Sequence, residues 1–181
     1  MILLVAATEP ELCGHQGLAC GVGPVEAAAA TARSLALNPP AAVLHVGVAG
    51  GRGLDPGMLV VGTESVYQDI SAGIPVISRA RPDAGLLEAA IAALPEAIPT
   101  SICTSAAVGR ASNSPLQGST EAEAMEGFAV LRACELAGVP AVEVRAISNE
   151  IGEADRSRWD IPRALDALAD ALPRLRAALP E

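Results

Sequence analysis

Glu123-Ala-Met-Glu-Gly-Phe-Ala-Val130 leads, through the turn Gly138-Val-Pro140, into Glu143-Val-Arg-Ala-Ile-Ser-Asn149. The spacing predicts a helix over Glu123–Ala137 that stops at the glycine and proline, then a buried strand over Ala141–Ile147. That strand closes on a polar cluster of Arg145, Ser148 and Asn149. In open α/β sheets the carboxyl ends of the strands are where ligands bind, because side chains and backbone groups converge there. An apolar strand with a polar end, preceded by a helix, therefore predicts both a fold class and the edge of the sheet that carries function.

Working outward, the same alternation recurs. Ile2–Ala7 is a continuous apolar run, as expected of a strand covered on both faces. Gly21-Val-Gly-Pro24 turns into an alanine-rich helix over Val25–Leu37, with Pro24 suited to the first helical position, and Asn38-Pro-Pro40 stops it. Ala42–Val48 and Met58–Val61 read as further buried strands, Ile74–Ile77 as another, Gly85–Leu94 as a helix, and Ser101–Val108 as a strand running into a loop. Ala111–Gly118 is polar and turn-rich. Asp160 is placed to cap a closing helix in which Leu165, Leu168, Leu172 and Leu175 share a face and Pro173 introduces a kink. Strands alternating with helices imply one α/β domain over residues 1–181, on a mixed, mostly parallel sheet.

Composition narrows the chemistry. Of the 181 residues 51% are hydrophobic but only 2% aromatic, so the core is built from Ala, Val, Leu and Ile. A net charge of −9, with no basic stripe, excludes nucleic acid or an anionic membrane as the main partner. No apolar run approaches the roughly 20 residues that span a bilayer. Ile2–Ala7 lacks a basic segment before it, so it reads as a strand and not a signal peptide. Cys13, Cys20, Cys103 and Cys134 have no metal-ligand spacing and fit free thiols of a reduced, cytoplasmic protein. His15 and His45 lack a second ligand at helical spacing, so no metal is expected. His45 reads as a core or strand-end histidine.

Two glycine turns and several carboxylates remain. Gly21-Val-Gly-Pro-Val-Glu26 lacks the third glycine of a dinucleotide fingerprint, and Val48-Ala-Gly50 stands where the acidic ribose partner would follow, so a dinucleotide cofactor is disfavoured and none is expected. Gly47-Val-Ala-Gly-Gly51 closes a strand with small residues, which serves either a tight turn or a ligand that approaches the backbone. Each of Glu9, Glu11, Glu123 and Glu126 taken singly fits compensation of a helix dipole. Parallel strands, however, deliver Glu11, Gly50, Arg145 and Asn149 to one edge of the sheet.

In this order, Ala7-Thr-Glu-Pro-Glu11, Gly21-Val-Gly-Pro-Val-Glu-Ala27, Val46-Gly-Val-Ala-Gly-Gly51, Met125-Glu126-Gly127 and Val144-Arg-Ala-Ile-Ser-Asn149 resemble the nucleoside phosphorylase/nucleosidase superfamily. Met-Glu-Gly-Phe-Ala-Val, Arg-Ala-Ile-Ser-Asn and the tail Asp155-Arg-Ser-Arg-Trp-Asp-Ile161 most resemble its futalosine hydrolase family. The resemblance implies a three-layer α/β domain and a homo-oligomer. It also implies hydrolysis of a purine nucleoside, futalosine, in menaquinone synthesis.

Residue by residue, the resemblance makes Glu11 the base that deprotonates water and Arg145 the arginine that steadies both. Met125 and Glu126 match the ribose clamp, and Ala49 and Gly50 the turn beneath the sugar. Ser148 belongs to the polar strand end. Trp159 matches an aromatic lining the 5′-substituent pocket, and Phe128 stands in as the aromatic for the purine. Arg52, Arg79, Arg81 and Arg158 are the candidates for the substrate's carboxylate. The loop between Gly109 and Glu123 is shorter here than in relatives.

Two departures from relatives sharpen this. Where hexameric phosphorylases place phosphate-binding arginines, this chain has Thr8–Glu11 and His45, which favours water over phosphate. Asn149 replaces the aspartate of methylthioadenosine nucleosidases. An amide accepts from N7–H and donates to O6, which suits hypoxanthine over adenine. Another nucleosidase or phosphorylase of this fold, or a non-catalytic nucleoside-binding homologue, stays open at this point.

Overall fold

The computed structural model describes residues 1–70, 73–107, 109 and 121–179. The apolar runs become strands β1 (Ile2–Ala6), β3 (Ala42–Gly51), β4 (Leu59–Tyr67), β6 (Ile98–Thr104) and β8 (Ala141–Glu150). Three short strands join them: β2 (Leu18–Ala19), β5 (Arg79–Ala80) and β7 (Ala122–Ala124). The helices are α1 (Pro24–Leu37), α2 (Ala84–Ala93), α3 (Gly127–Ala137) and α4 (Ile161–Ala178).

The sheet is mixed. Its strands run β2-β1-β3-β7-β6-β4-β5, and β8 pairs with both β3 and β4. The pairings β3–β7, β7–β6, β6–β4, β4–β8 and β8–β3 thus form a closed ring. Pairs β1–β2, β1–β3, β3–β8, β4–β6 and β6–β7 are parallel, so the sheet is mostly parallel as expected. Helices cover it on two sides. Leu86, Ala90 and Leu94 with Leu168, Leu172 and Leu175 pack against Leu4, Leu44 and Val144. Ala27 and Leu35 with Val130, Leu131 and Cys134 pack against Val5, Val43 and Ala141. Aliphatic packing on both faces accounts for an aromatic-poor core.

Local signals set the ends. Asp83 Oδ1 accepts from the Leu86 amide and Asp160 Oδ1 from the Arg163 amide, each satisfying a first-turn N–H. Gly138 ends α3 in the left-handed conformation. Pro173 lies inside α4, which continues through it.

Two expectations are corrected. The predicted helix over Glu123–Ala137 divides: Ala122–Ala124 is a strand, and the helix starts only at Gly127. Pairing on both sides, to Gly50-Gly51 and to Ile102–Thr104, outweighs the local helical preference. Ile74–Ile77 is not a strand. Pro75 lacks an amide for the ladder, the flanking apolar residues are exposed, and Arg79–Ala80 makes the edge pairing instead. The segment Ala111–Gly118 lies outside the described residues.

Candidate active site

Beyond the carboxyl ends of β1, β3 and β8 lies a cavity of about 290 Å³. Glu11 enters it from a 3-10 turn, Glu9–Leu12, that follows β1. Thr8 starts the turn and Pro10 sits in its first residues, where a missing N–H costs nothing. The Glu11 carboxylate is fixed by three donors. Oε2 accepts from the Thr8 amide at 2.9 Å and the Thr8 hydroxyl at 2.7 Å, and Oε1 accepts from the Val48 amide at 3.0 Å.

Behind this wall is a buried ionic cluster built by strand alternation. His45 pairs with Glu143 and Gly47 with Arg145 across β3 and β8, so all four share one face. Arg145 Nε donates to Glu143 Oε1 at 2.9 Å, and Nη2 donates to His45 Nε2. Ser65 Oγ donates to the other Glu143 oxygen. Because a carbonyl accepts only, the contact of His45 Nδ1 with Val5 O at 3.0 Å puts the ring proton on Nδ1 and leaves Nε2 to accept. Arg145 Nη1 has no hydrogen-bond partner among the described residues and lies 3.6 Å from Glu126 Oε2.

Burial and charge set the protonation states. Burial first, then the Arg145 cation, hold the His45 pKa well below its ordinary value, so the ring is neutral. Burial opposes the Arg145 charge, yet Glu143, Glu126 and Glu11 together raise its pKa above the ordinary arginine value. Burial raises the Glu126 pKa, against the opposing pull of Arg145 and of the Gly23 amide, which donates to Glu126 Oε1 at 3.0 Å.

Two glycines make room for this cluster. A Cβ on Gly47 would fall on the Arg145 guanidinium and 2.7 Å from Glu11 Oε1. A Cβ on Gly127 would fall on the Glu143 carboxylate, which gives the glycine of Met125-Glu126-Gly127 a physical reason.

At the end of β8 the register shifts by one residue between Ala49 and Gly50, leaving Ser148 without a partner on β3. Bulges of this kind re-aim side chains beside active sites. Ser148 Oγ lies 2.6 Å from Asn149 Oδ1 and 3.2 Å from Ala49 O, and Asn149 Nδ2 donates to Glu150 O at 2.9 Å.

The family model of the phosphorylase superfamily matches residues 12–179. The chain belongs to the phosphorylase superfamily. Futalosine hydrolase of Streptomyces coelicolor is 36% identical over 92% of this chain and 80% of its own. Among solved structures, a futalosine hydrolase mutant of Helicobacter pylori has a TM-score of 0.88, at 20% identity, over 98% of this chain and 99% of its own. A 5′-methylthioadenosine/S-adenosylhomocysteine nucleosidase of Neisseria meningitidis, in complex with methylthio-immucillin-A, has a TM-score of 0.85 at 22% identity, over 98% of this chain and 99% of its own. These two share the fold.

Within this superfamily fold, most residues singled out from sequence meet at one place. Glu11, Ala49, Gly50, Met125, Glu126, Ser148, Asn149 and Trp159 all line the cavity. Arg145 does not; it stands fully buried behind Glu11 and Glu126. Phe128 stacks on Tyr67 with ring centroids 5.4 Å apart and is not among the residues that line the cavity. None of Arg52, Arg79, Arg81 and Arg158 lines the cavity; Arg79 pairs with Glu64, and Arg158 with Glu153. Trp159 is held by its indole N–H, which donates to Glu153 O at 3.0 Å.

Sequence reading missed His45 and Glu143 as parts of the cluster and Glu123 as a lining residue. A signal was present for the pair. Glu143 and Arg145 stand two apart in an otherwise apolar strand, which puts both on one face, and such a face needs polar partners.

Proposed function

We propose that the protein is a futalosine hydrolase, cleaving the N-glycosidic bond of futalosine with water to release hypoxanthine and dehypoxanthine futalosine. The observation that carries hydrolysis is the charge of the cavity. Glu11, Glu123 and Glu126 line it, and no basic side chain does so among the described residues. Such a wall repels phosphate, whereas a carboxylate within reach of water is what hydrolysis uses. The 36% identity to a curated futalosine hydrolase over most of the chain supports the substrate.

In this reading a ribosyl oxocarbenium ion develops as the base leaves. Glu11, oriented by Thr8 and Val48, takes the proton of the attacking water. Arg145 steadies that carboxylate from behind, with Nη1 directed between Glu126 and Glu11. Glu126 and the Met125 backbone take the ribose hydroxyls, over Ala49 and Gly50. Asn149, positioned by Ser148, meets N7 and O6 of the leaving base. Trp159, with Ile161 and Leu165, gives the 5′-substituent an apolar wall.

We further read residues 1–181 as one domain of a cytoplasmic homo-oligomer serving menaquinone synthesis. Val22 lines the cavity while 56% exposed, and nearby Val25 is 77% exposed; this apolar rim supports a second copy at the mouth. Among the described residues no helix is long and apolar enough to cross a membrane.

The test is incubation with futalosine, inosine and methylthioadenosine, with and without phosphate, following base release. Phosphate-independent hypoxanthine from futalosine is expected. Cleavage of inosine that requires phosphate would overturn the hydrolase reading, and binding without turnover would leave a nucleoside-binding protein.

A further inference from the structure

Glu143 is fully buried, does not line the cavity, and has no task in the scheme above. Both of its oxygens are nevertheless engaged. Oε1 accepts from Arg145 Nε at 2.9 Å, and Oε2 accepts from Ser65 Oγ, which reaches it from β4. The first residue of α3 lies against the same carboxylate, since a Cβ on Gly127 would fall on it. An acid at that place meets the positive end of a helix of 11 residues.

Arg145 is shared between two sides. Its Nε goes to Glu143 and its Nη2 to His45. Nη1 lies 3.6 Å from Glu126 Oε2 and, like Glu11 Oε1, borders the space left by the missing Cβ of Gly47. One cation thus faces three carboxylates, two that line the cavity and one behind. Among the charges that raise the Arg145 pKa, Glu143 comes first, ahead of Glu126 and Glu11.

We infer that Glu143 is a positioning residue of the proposed hydrolysis: it ties down the Nε edge of Arg145 and sets how much of that cation's charge reaches Glu11 and Glu126. The inference rests on the hydrolase reading above and deepens it. An arginine that faced only the two cavity carboxylates would pull on both at full strength. That favours their ionised forms and makes Glu11 a weaker acceptor of the water proton. A third carboxylate behind the guanidinium offsets the pull, and its bond to Nε leaves Nη1 pointing forward.

The other titratable groups around the cluster do not replace it. His45 of β3 is neutral, and Cys20, which faces Glu126, Arg145 and Glu11, has its thiol pushed up to about 11, chiefly by burial. Burial also raises the thiol of Cys13, which faces Glu11 and Asp166 of α4. Glu123 lines the same cavity. Cys13, Cys20, Glu123 and Asp166 are common to every protein compared below.

The experiment measures kcat and KM for futalosine from about pH 4 to 8 in wild type, Glu143→Gln and His45→Gln, with a melting temperature for each. Glu143→Gln keeps an acceptor for Nε but removes the charge. Its acid limb of kcat should move to lower pH by about one unit, and its plateau should fall about 3- to 10-fold with KM little changed. Glu126 faces the same guanidinium and responds in the same sense, so the limb moves down whichever cavity carboxylate it follows. His45→Gln exchanges one neutral acceptor for another and should leave the limb in place, whatever its melting temperature. A limb that stays in place in Glu143→Gln, or that moves equally in both variants, overturns the inference. A measurement on the wild type needs no variant to fold: the buried Arg145 Nε–H should give an NMR signal that persists after transfer to heavy water. Immediate loss of every arginine Nε–H signal overturns the hold by Glu143. The two readings fail at different places. Turnover by the wild type with an unmoved limb in Glu143→Gln keeps the hydrolase and removes the role of Glu143. A wild type that releases no base from futalosine removes the hydrolase, and this inference with it.

Discussion

His45 Nε2 accepts a hydrogen bond from Arg145 Nη2 although the two residues are 100 positions apart in sequence. The bond requires a neutral imidazole, and burial together with the Arg145 charge keeps it neutral. A histidine read from sequence as ordinary core is therefore the acceptor that sets the plane of the buried Arg145 guanidinium beside Glu11.

This bond has a pH signature. With the folded pKa of His45 depressed, the unfolded chain takes up a proton as pH falls through about 6.5 while the folded protein does not. The contribution is complete above that pH and is lost below it, by up to about 1.4 kcal/mol per pH unit. Arg145 and Glu143 face the ring, and the opposite effect of Glu126 is common to every variant compared. His45→Gln, whose carbonyl reaches the Nε2 position, should flatten the decline below pH 6.5 at little cost near pH 8. His45→Asn keeps the donor to Val5 but abandons Arg145, and should lose about 1–3 kcal/mol. Urea unfolding across pH 5–8 checks both; an unchanged slope in His45→Gln refutes the neutral-acceptor role.

Glu11→Gln should reduce kcat by about 100- to 10,000-fold, the usual value of a general base, with KM for futalosine nearly unchanged. The amide fits the same space and its oxygen can still accept from the Thr8 amide and hydroxyl, while the Val48 amide then faces the NH2 group and loses its acceptor, at a cost of about 1–3 kcal/mol that the fold should tolerate. Steady-state kinetics with melting temperatures as a control measure this. A variant with wild-type kcat would move the base elsewhere.

Asn149→Asp should shift preference toward adenine nucleosides, because a protonated Asp donates to N7 and no longer donates to O6. The ratio of kcat/KM for futalosine and methylthioadenosine reads the shift. An unaltered ratio would remove Asn149 from base reading.

How much of this was legible in sequence depends on which interactions are local. The polar end of β8 was legible because alternation and burial speak through one strand. Glu123 was misread as helix, since three residues carry too little periodicity to outweigh a helical neighbourhood, and only pairing to β3 and β6 fixes them as a strand. The Arg145 cluster joins β3, β4, β8 and the start of α3, and no local pattern announces contacts of that range.

Gly47 turns that cluster into a last prediction. Its missing Cβ is the space that lets the Arg145 guanidinium and Glu11 Oε1 approach one another, so Gly47→Ala must push one or both aside. Gly51 offers a matched control on the same strand, since a Cβ there would meet Leu54 Cβ at 2.8 Å and Ile147 Cγ2 at 3.0 Å, away from the charges. Both variants should lose about 1–3 kcal/mol of stability from overpacking. Only Gly47→Ala should also lose kcat, by about 100-fold, because a displacement near 1 Å of a catalytic group costs that much. Thermal melts paired with futalosine turnover separate the two effects. Equal kcat in the two alanine variants would mean that the spacing of Glu11 and Arg145 does not limit the reaction.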